Sequence, residues 1–132
     1  MLVAGTRPEL IKIFPVLEAL SSNGHKPIFA YSGQHYDHNL SEEFMEELNY
    51  PPPVVAMGVG SGSHAEQTGK ILVKCEKAIE DLKPDLVVAQ GDTNTTMAAA
   101  LSSRKMGIPC AHVEAGLRSY DREMPEEINR IV

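Results

Sequence analysis

Residues 86–113, LVVAQGDTNTTMAAALSSRKMGIPCAHV, carry the reading on which the fold turns. An apolar run from Leu86 to Gln90 meets a glycine and a polar cluster. A segment of helical period follows from Thr93 to Lys105, then a turn at Gly107 and a second apolar run from Ile108 to Val113. Strand, helix and strand joined by short connections make a βαβ unit, whose two strands lie parallel in one sheet. The same alternation extends toward the amino terminus. It predicts a strand at 1–5, a helix from about 7 to 22, a strand at 27–32 and a helix from about 39 to 48. After the turn at Pro51 to Pro53 come an extended piece at 54–57, a Gly/Ser loop at 58–62 and a long helix from Ser63 to Leu82. Lys83-Pro84-Asp85 then turns the chain into the quoted stretch, and a last helix is announced by Pro125. The expected fold class is α/β, an open doubly wound parallel sheet.

At 132 residues with 42% hydrophobic and 23% charged content, the chain has the size and balance of one globular domain. Its net charge of −6 argues against a non-specific nucleic-acid surface or a polybasic membrane surface, because phosphate backbones demand the opposite sign. Any bound phosphate has to be met locally. Cys75 and Cys110 lie inside apolar periodic segments with no framework spacing, which reads as two buried thiols in a reducing cytoplasm. The opening MLVAGTRPELIKIFPVLEAL is interrupted by Arg7, Pro8, Glu9, Lys12 and Pro15, so it makes neither a signal-peptide core nor a span of about 20 apolar residues. The first strand has only Met1 to Ala4 before its glycine, and the helix begun at Pro125 is short when the sequence stops at Val132. Both ends read as cuts in a longer protein.

Ligands of open α/β sheets bind beyond the carboxyl ends of the strands, which singles out the strand-to-helix junctions. At the first, GTRPELIK at 5–12, Thr6 and Glu9 form a capping box, and the helix N-terminus offers N–H groups and dipole potential to an anion. Arg7 there either adds a forked contact to a phosphate or is a solvated arginine on a well-capped helix. Lys12, among Leu10, Ile11, Ile13, Phe14 and Leu17, either snorkels to the surface or is held near a ligand's negative charge. At the second junction Asp92 falls at or beside a helix N-cap, for which capping is the plain reading. At the third Glu114 leaves its strand beside a glycine with no helix to cap, which favours a functional role. If the helix at 125 folds back over the sheet edge, Glu126 or Glu127 joins these carboxylates. Several carboxylates in one cleft raise the pKa of at least one, which makes a carboxyl a usable acid or base.

Other features carry less. Gly58-Val59-Gly60-Ser61-Gly62 lacks the G-x-G-x-x-G spacing of a dinucleotide loop, and His35, His38 and His64 lack the spacing of a zinc site and read as surface or substrate-contact histidines. Ile71, Leu72 and Ile79 read as core.

Taken together and in order, GTRPELIK at 5–12, GDTNTT at 91–96, HVEAGLRS at 112–119 and MPEEINR at 124–130 resemble the motif set of the non-hydrolysing UDP-N-acetylglucosamine (UDP-GlcNAc) 2-epimerases, with SGQHYDHNL at 32–40 a looser match. The resemblance implies a two-domain, GT-B-like fold with the active site between two Rossmann-like domains. Residues 1–132 then correspond to the amino-terminal domain, the carboxy-terminal UDP-binding domain lying outside this sequence. It also implies the chemistry: a proton leaves C2 of UDP-GlcNAc and UDP is eliminated, then UDP re-adds with a proton on the opposite face to give UDP-N-acetylmannosamine. No redox cofactor or metal is implied. Position by position, Asp92, Glu114 and Glu126 would be the acid/base carboxylates, while Arg7, Lys12 and Arg130 would contact diphosphate, sugar or carboxylates. The resemblance further implies a homodimeric full-length enzyme of cytoplasmic nucleotide-sugar metabolism feeding cell-surface polysaccharide. After Gln34-His35 the chain reads YDHNLSEE, unlike the family's regulatory segment, so no allosteric control is carried over. Two other readings stand beside this one: an epimerase half acting on a UDP-2,3-diacetamido uronic acid, whose group shares an RMPEEINR-like segment, and a non-catalytic phosphate-binding or dimerising module. A glycosyltransferase half is disfavoured by three carboxylates at strand ends.

Overall fold

The computed structural model describes residues 1–34 and 45–132. Most of the helix expected at 39–48, together with His35 and His38, lies outside the described residues; 45–47 are helical.

Five parallel strands form the sheet: β1 (Leu2–Ala4), β2 (Phe29–Tyr31), β3 (Val55–Ala56), β4 (Val87–Gln90) and β5 (Cys110–Val113), in spatial order β3-β2-β1-β4-β5. Besides the helical residues 45–47, the helices described in full are α1 (Arg7–Ser22), α2 (His64–Leu82), α3 (Asn94–Lys105) and α4 (Pro125–Ile131). The strands are shorter than the apolar runs that announce them, because the flanking residues pass into the connections before ladder pairing begins. The chain builds outward from β1 to one edge and then returns to the other side of β1 with β4. The strand order therefore reverses between β1 and β4, and the crevice beyond their carboxyl ends is the place such a sheet offers a ligand.

Alternation along each strand sorts the core into two layers. Val3, Ala30, Val87 and Ala89 face the helix pair α2 and α3 with Ile71, Cys75, Ile79 and Ala98. Leu2, Ala4, Phe29, Tyr31 and Val88 face α1 with Leu10, Ile13 and Leu17. Leu72 packs only partly buried against the first layer. Of the two cysteines, Cys75 is buried as expected and its thiol is pushed up to about 12 by burial. Cys110, on the edge strand, is only half-buried, which corrects the expectation of two buried thiols.

The helix starts follow from their caps. Ser63 caps α2 by accepting from the Glu66 N–H at 3.3 Å, and Lys83, in the left-handed region at φ 46°, ends it. Thr93 caps α3, accepting from the Thr96 N–H at 3.3 Å. Threonine thus takes the cap that the sequence reading gave to Asp92, and the Asp92 carboxylate is left to other partners. No described helix is long and apolar enough to cross a membrane.

Candidate functional site

The capping box at the first junction is present, but its carboxylate does more than cap. Glu9, 4% exposed, accepts from the N–H groups of Gly5 at 2.6 Å and Thr6 at 2.8 Å through one oxygen. Its other oxygen accepts from the Thr93 hydroxyl at 2.6 Å and the Thr96 hydroxyl at 3.2 Å. Burial pushes its carboxyl up, against the downward pull of those four donors. Glu9 therefore joins the junction after β1 to the junction after β4 across the reversal point. It also occupies the Gly5 and Thr6 amides, so an anion at this mouth must be held mainly by side-chain cations. Arg7 and Lys12 are both exposed on α1. Of the apolar residues around Lys12, Leu10, Ile13 and Leu17 are buried, while Ile11 beside it is 53% exposed.

Gly5 is required by crowding: a Cβ there would enter contact distance of Thr95 Oγ1 and Ser32 Oγ, themselves hydrogen-bonded at 2.8 Å. With no side chain at this point, the backbone after β1 seats directly against α3.

Asp92 and Glu114 stand beyond the ends of the neighbouring strands β4 and β5, and α4 folds back over them. Arg130, its side chain 6% exposed, donates to Asp92 Oδ2 through Nη2 at 2.8 Å and Nε at 3.1 Å. Its Nη1 donates to the Glu114 main-chain carbonyl at 2.7 Å. Asn129 ties the same turn down by donating to the Asp92 carbonyl at 2.7 Å. Glu114 has φ 66°, the left-handed region that a non-glycine residue enters only when its surroundings hold it there, and such residues gather at functional sites. Its carboxylate accepts from Lys12 Nζ, 2.8 Å from each oxygen, and from Gln90 Nε2 at 2.5 Å. Lys12 is thus neither adrift in solvent nor buried alone. It reaches from α1 across the crevice to a carboxylate on the far side.

The remaining acids part company. Glu127, 1% exposed, accepts from Arg118 Nε at 2.8 Å and from the Ser119 N–H at 3.1 Å. The Arg118 hydrogen bond is the main cause that holds its carboxyl down at about 2. It pins the loop after β5 to α4 and does not join Asp92 and Glu114. Glu126, one residue earlier, is exposed, and no hydrogen bond or ion pair engages its side chain among the described residues. The expected crowd of carboxylates is instead a set in which Asp92, Glu114 and Glu127 each have a cation of their own. His64 is exposed and its Nδ1 accepts from Asn94 Nδ2 at 3.2 Å.

Three partners went unnoticed in the sequence. Gln90 ends an otherwise apolar strand, and a polar residue at that position was the available signal. Asn129 and the carboxylate bridge made by Glu9 had none, since both depend on how distant junctions meet.

The fold and site define a doubly wound α/β domain whose ligand crevice, beyond the strand ends, carries carboxylates each paired with a cation. Residues 18–132 match the family model described as UDP-N-acetylglucosamine 2-epimerase, and the chain belongs to that family. A UDP-N-acetylglucosamine 2-epimerase of Methanocaldococcus jannaschii is 51% identical over 131 residues, covering 99% of this chain and 36% of the relative. A UDP-2,3-diacetamido-2,3-dideoxy-D-glucuronate 2-epimerase of Pseudomonas aeruginosa is 43% identical over 131 residues, 98% of this chain and 37% of that protein. The crystal structure of Methanocaldococcus jannaschii UDP-GlcNAc 2-epimerase in complex with UDP-GlcNAc and UDP superposes with a TM-score of 0.94 at 52% identity, covering 98% of this chain and 36% of that one. The chain spans about a third of the length of the curated relatives it matches.

Proposed function

We propose that this chain is the amino-terminal domain of a two-domain enzyme that interconverts UDP-GlcNAc and UDP-N-acetylmannosamine. The observation that carries the reading is Asp92 and Glu114 on adjacent strand ends, one held through its carboxylate and the other through its backbone by Arg130. Two carboxylates fixed on one rigid frame suit a reaction in which a proton is taken from one face of a carbon and returned to the other.

In the forward direction a carboxylate accepts the C2 proton, the C1–oxygen bond to UDP breaks and the electron pair leaves with the diphosphate, giving a 2-acetamidoglucal. In return, a diphosphate oxygen re-forms the bond to C1 while a carboxyl group delivers a proton to the other face of C2. Asp92 and Glu114 serve as acid and base, with the exposed Glu126 as the third carboxylate. Arg7 and Lys12 take the diphosphate charge. Lys12 can do so by swinging its flexible stem from Glu114, a motion that a point charge on four methylenes allows. Arg130 acts as the frame.

The enzyme works as a cytoplasmic homodimer and feeds an activated amino sugar into cell-surface polysaccharide. A second reading, the UDP-2,3-diacetamido uronic acid as substrate, is favoured by the 43% identity to the Pseudomonas aeruginosa protein. The test is conversion of each UDP-sugar by the chain joined to the remaining two thirds of a relative. UDP-GlcNAc epimerisation lost in Asp92→Asn and Glu114→Gln supports the first reading. Turnover of the diacetamido sugar alone moves the assignment to the second. Silence toward both, from a fusion that folds and binds UDP, sinks both.

A further inference from the structure

We propose that Gln90 is a positioning residue that aims the Glu114 carboxylate, an inference that rests on the epimerase reading above. Gln90 closes β4 as its fourth consecutive buried residue and is 2% exposed, at a position where the pattern of the strand calls for an apolar side chain. Its Nε2 donates to Glu114 Oε2 at 2.5 Å, while its Oε1 is buried with no hydrogen-bond partner. A buried acceptor left unpaired costs free energy, and a well-packed apolar residue would avoid that cost. Turning the amide over does not relieve it, because Oε1 would then face a carboxylate oxygen. The fold therefore keeps an amide whose one engaged end points at Glu114.

That end does what Lys12 cannot. Lys12 is 47% exposed on a flexible stem and has a second demand on its charge whenever an anionic substrate enters. Once the ammonium turns toward diphosphate, the Gln90 amide is the remaining side-chain contact of the Glu114 carboxylate among the described residues. Arg130 fixes the Glu114 backbone at its left-handed φ, and Gln90 fixes the side chain that leaves from it. Misplacement of a reacting group by about 1 Å is enough to lower a rate on the order of 100-fold.

The bland alternative is a core amide kept for stability, and the two make opposite predictions for Gln90→Met. Methionine matches the length, removes the unpaired acceptor and cannot direct Glu114. In the complete two-domain enzyme we expect a melting temperature equal to or above that of the unsubstituted protein, KM and UDP affinity nearly unchanged, and kcat lowered roughly 10-fold to 100-fold. Incorporation of solvent deuterium at C2 should slow in parallel. Gln90→Leu serves as a second variant should methionine pack poorly. An unsubstituted enzyme that does not epimerise removes the reading on which the inference rests. An active enzyme whose folded Gln90→Met and Gln90→Leu forms keep kcat, or lose it only in step with melting, overturns the role of Gln90 and leaves the epimerase reading intact.

Discussion

Arg130 Nη2 lies 2.8 Å from Asp92 Oδ2, and the same guanidinium reaches the Glu114 carbonyl with its other terminal nitrogen. One buried side chain from α4 thus fixes both strand ends of the site. Replacing it by methionine leaves Asp92 and a carbonyl without their donor. Because Asp92 is 35% exposed and partly rehydrates, the expected loss is about 2–3 kcal/mol, below the range for a fully buried pair. Urea denaturation checks it. Arg130→Met combined with Asp92→Asn should cost less than the sum of the two, since the second change removes the charge that the first strands.

Lys12 and Glu114 give the opposite balance. The pair is 47% and 26% exposed, so Lys12→Met should change stability by less than about 1 kcal/mol. The same substitution removes a cation proposed to meet the diphosphate. In the complete enzyme kcat/KM is expected to fall on the order of 10-fold or more, as the loss of one charge-assisted contact implies. A large loss of stability with unchanged kcat/KM would count against the assignment.

Two buried carboxylates should give acid titrations of opposite sign. Glu127, held at about 2 chiefly by the Arg118 hydrogen bond, contributes stability that is complete above its ordinary 4.5 and is lost as pH falls toward 2. Glu9 is shifted up by burial, so its contribution is complete below 4.5 and is lost as pH rises through its raised folded value. Melting curves over about pH 2 to 7 should therefore show Glu127→Gln flattening the acid limb. Glu9→Gln should gain on the unsubstituted chain as pH rises.

Gly5→Ala should cost about 1–3 kcal/mol, because its methyl would press on Thr95 and Ser32 in a closely packed seam. Adding Thr95→Ala should return part of the loss by opening that space, and denaturant midpoints of the single and double variants measure the recovery.

Much of this was legible in the sequence for a physical reason. Strand-to-helix junctions are local, so LVVAQ-GDT and CAHV-EAG announced where chemistry would stand, and the segments after β1, β4 and β5 are joined there by hydrogen bonds and an ion pair. What remained hidden was pairing at a distance. Asp92 and Thr93 are both good capping residues, and the choice of Thr93 goes with a salt bridge made 38 residues downstream. Glu126 and Glu127 are equivalent to the helix dipole, yet only Glu127 meets Arg118 and enters the core. Gln90 was read as the end of a strand: its polarity marked the position, but its partner, Glu114, lies just beyond the next strand, 24 residues away.

The clasp made by Glu9 has a consequence for changing what this domain recognises. Its two oxygens hold the turn after β1 and the turn after β4 as a single piece, so neither loop is a free cassette. A graft that exchanges GTRPELIK alone would bring a new glutamate to threonines it was not selected with. A graft of GDTNTT alone would strand the old one. Transplanted specificity has to travel as the pair of loops, residues 5–12 with 91–96, and as that unit it can be moved between parallel sheets of the same winding.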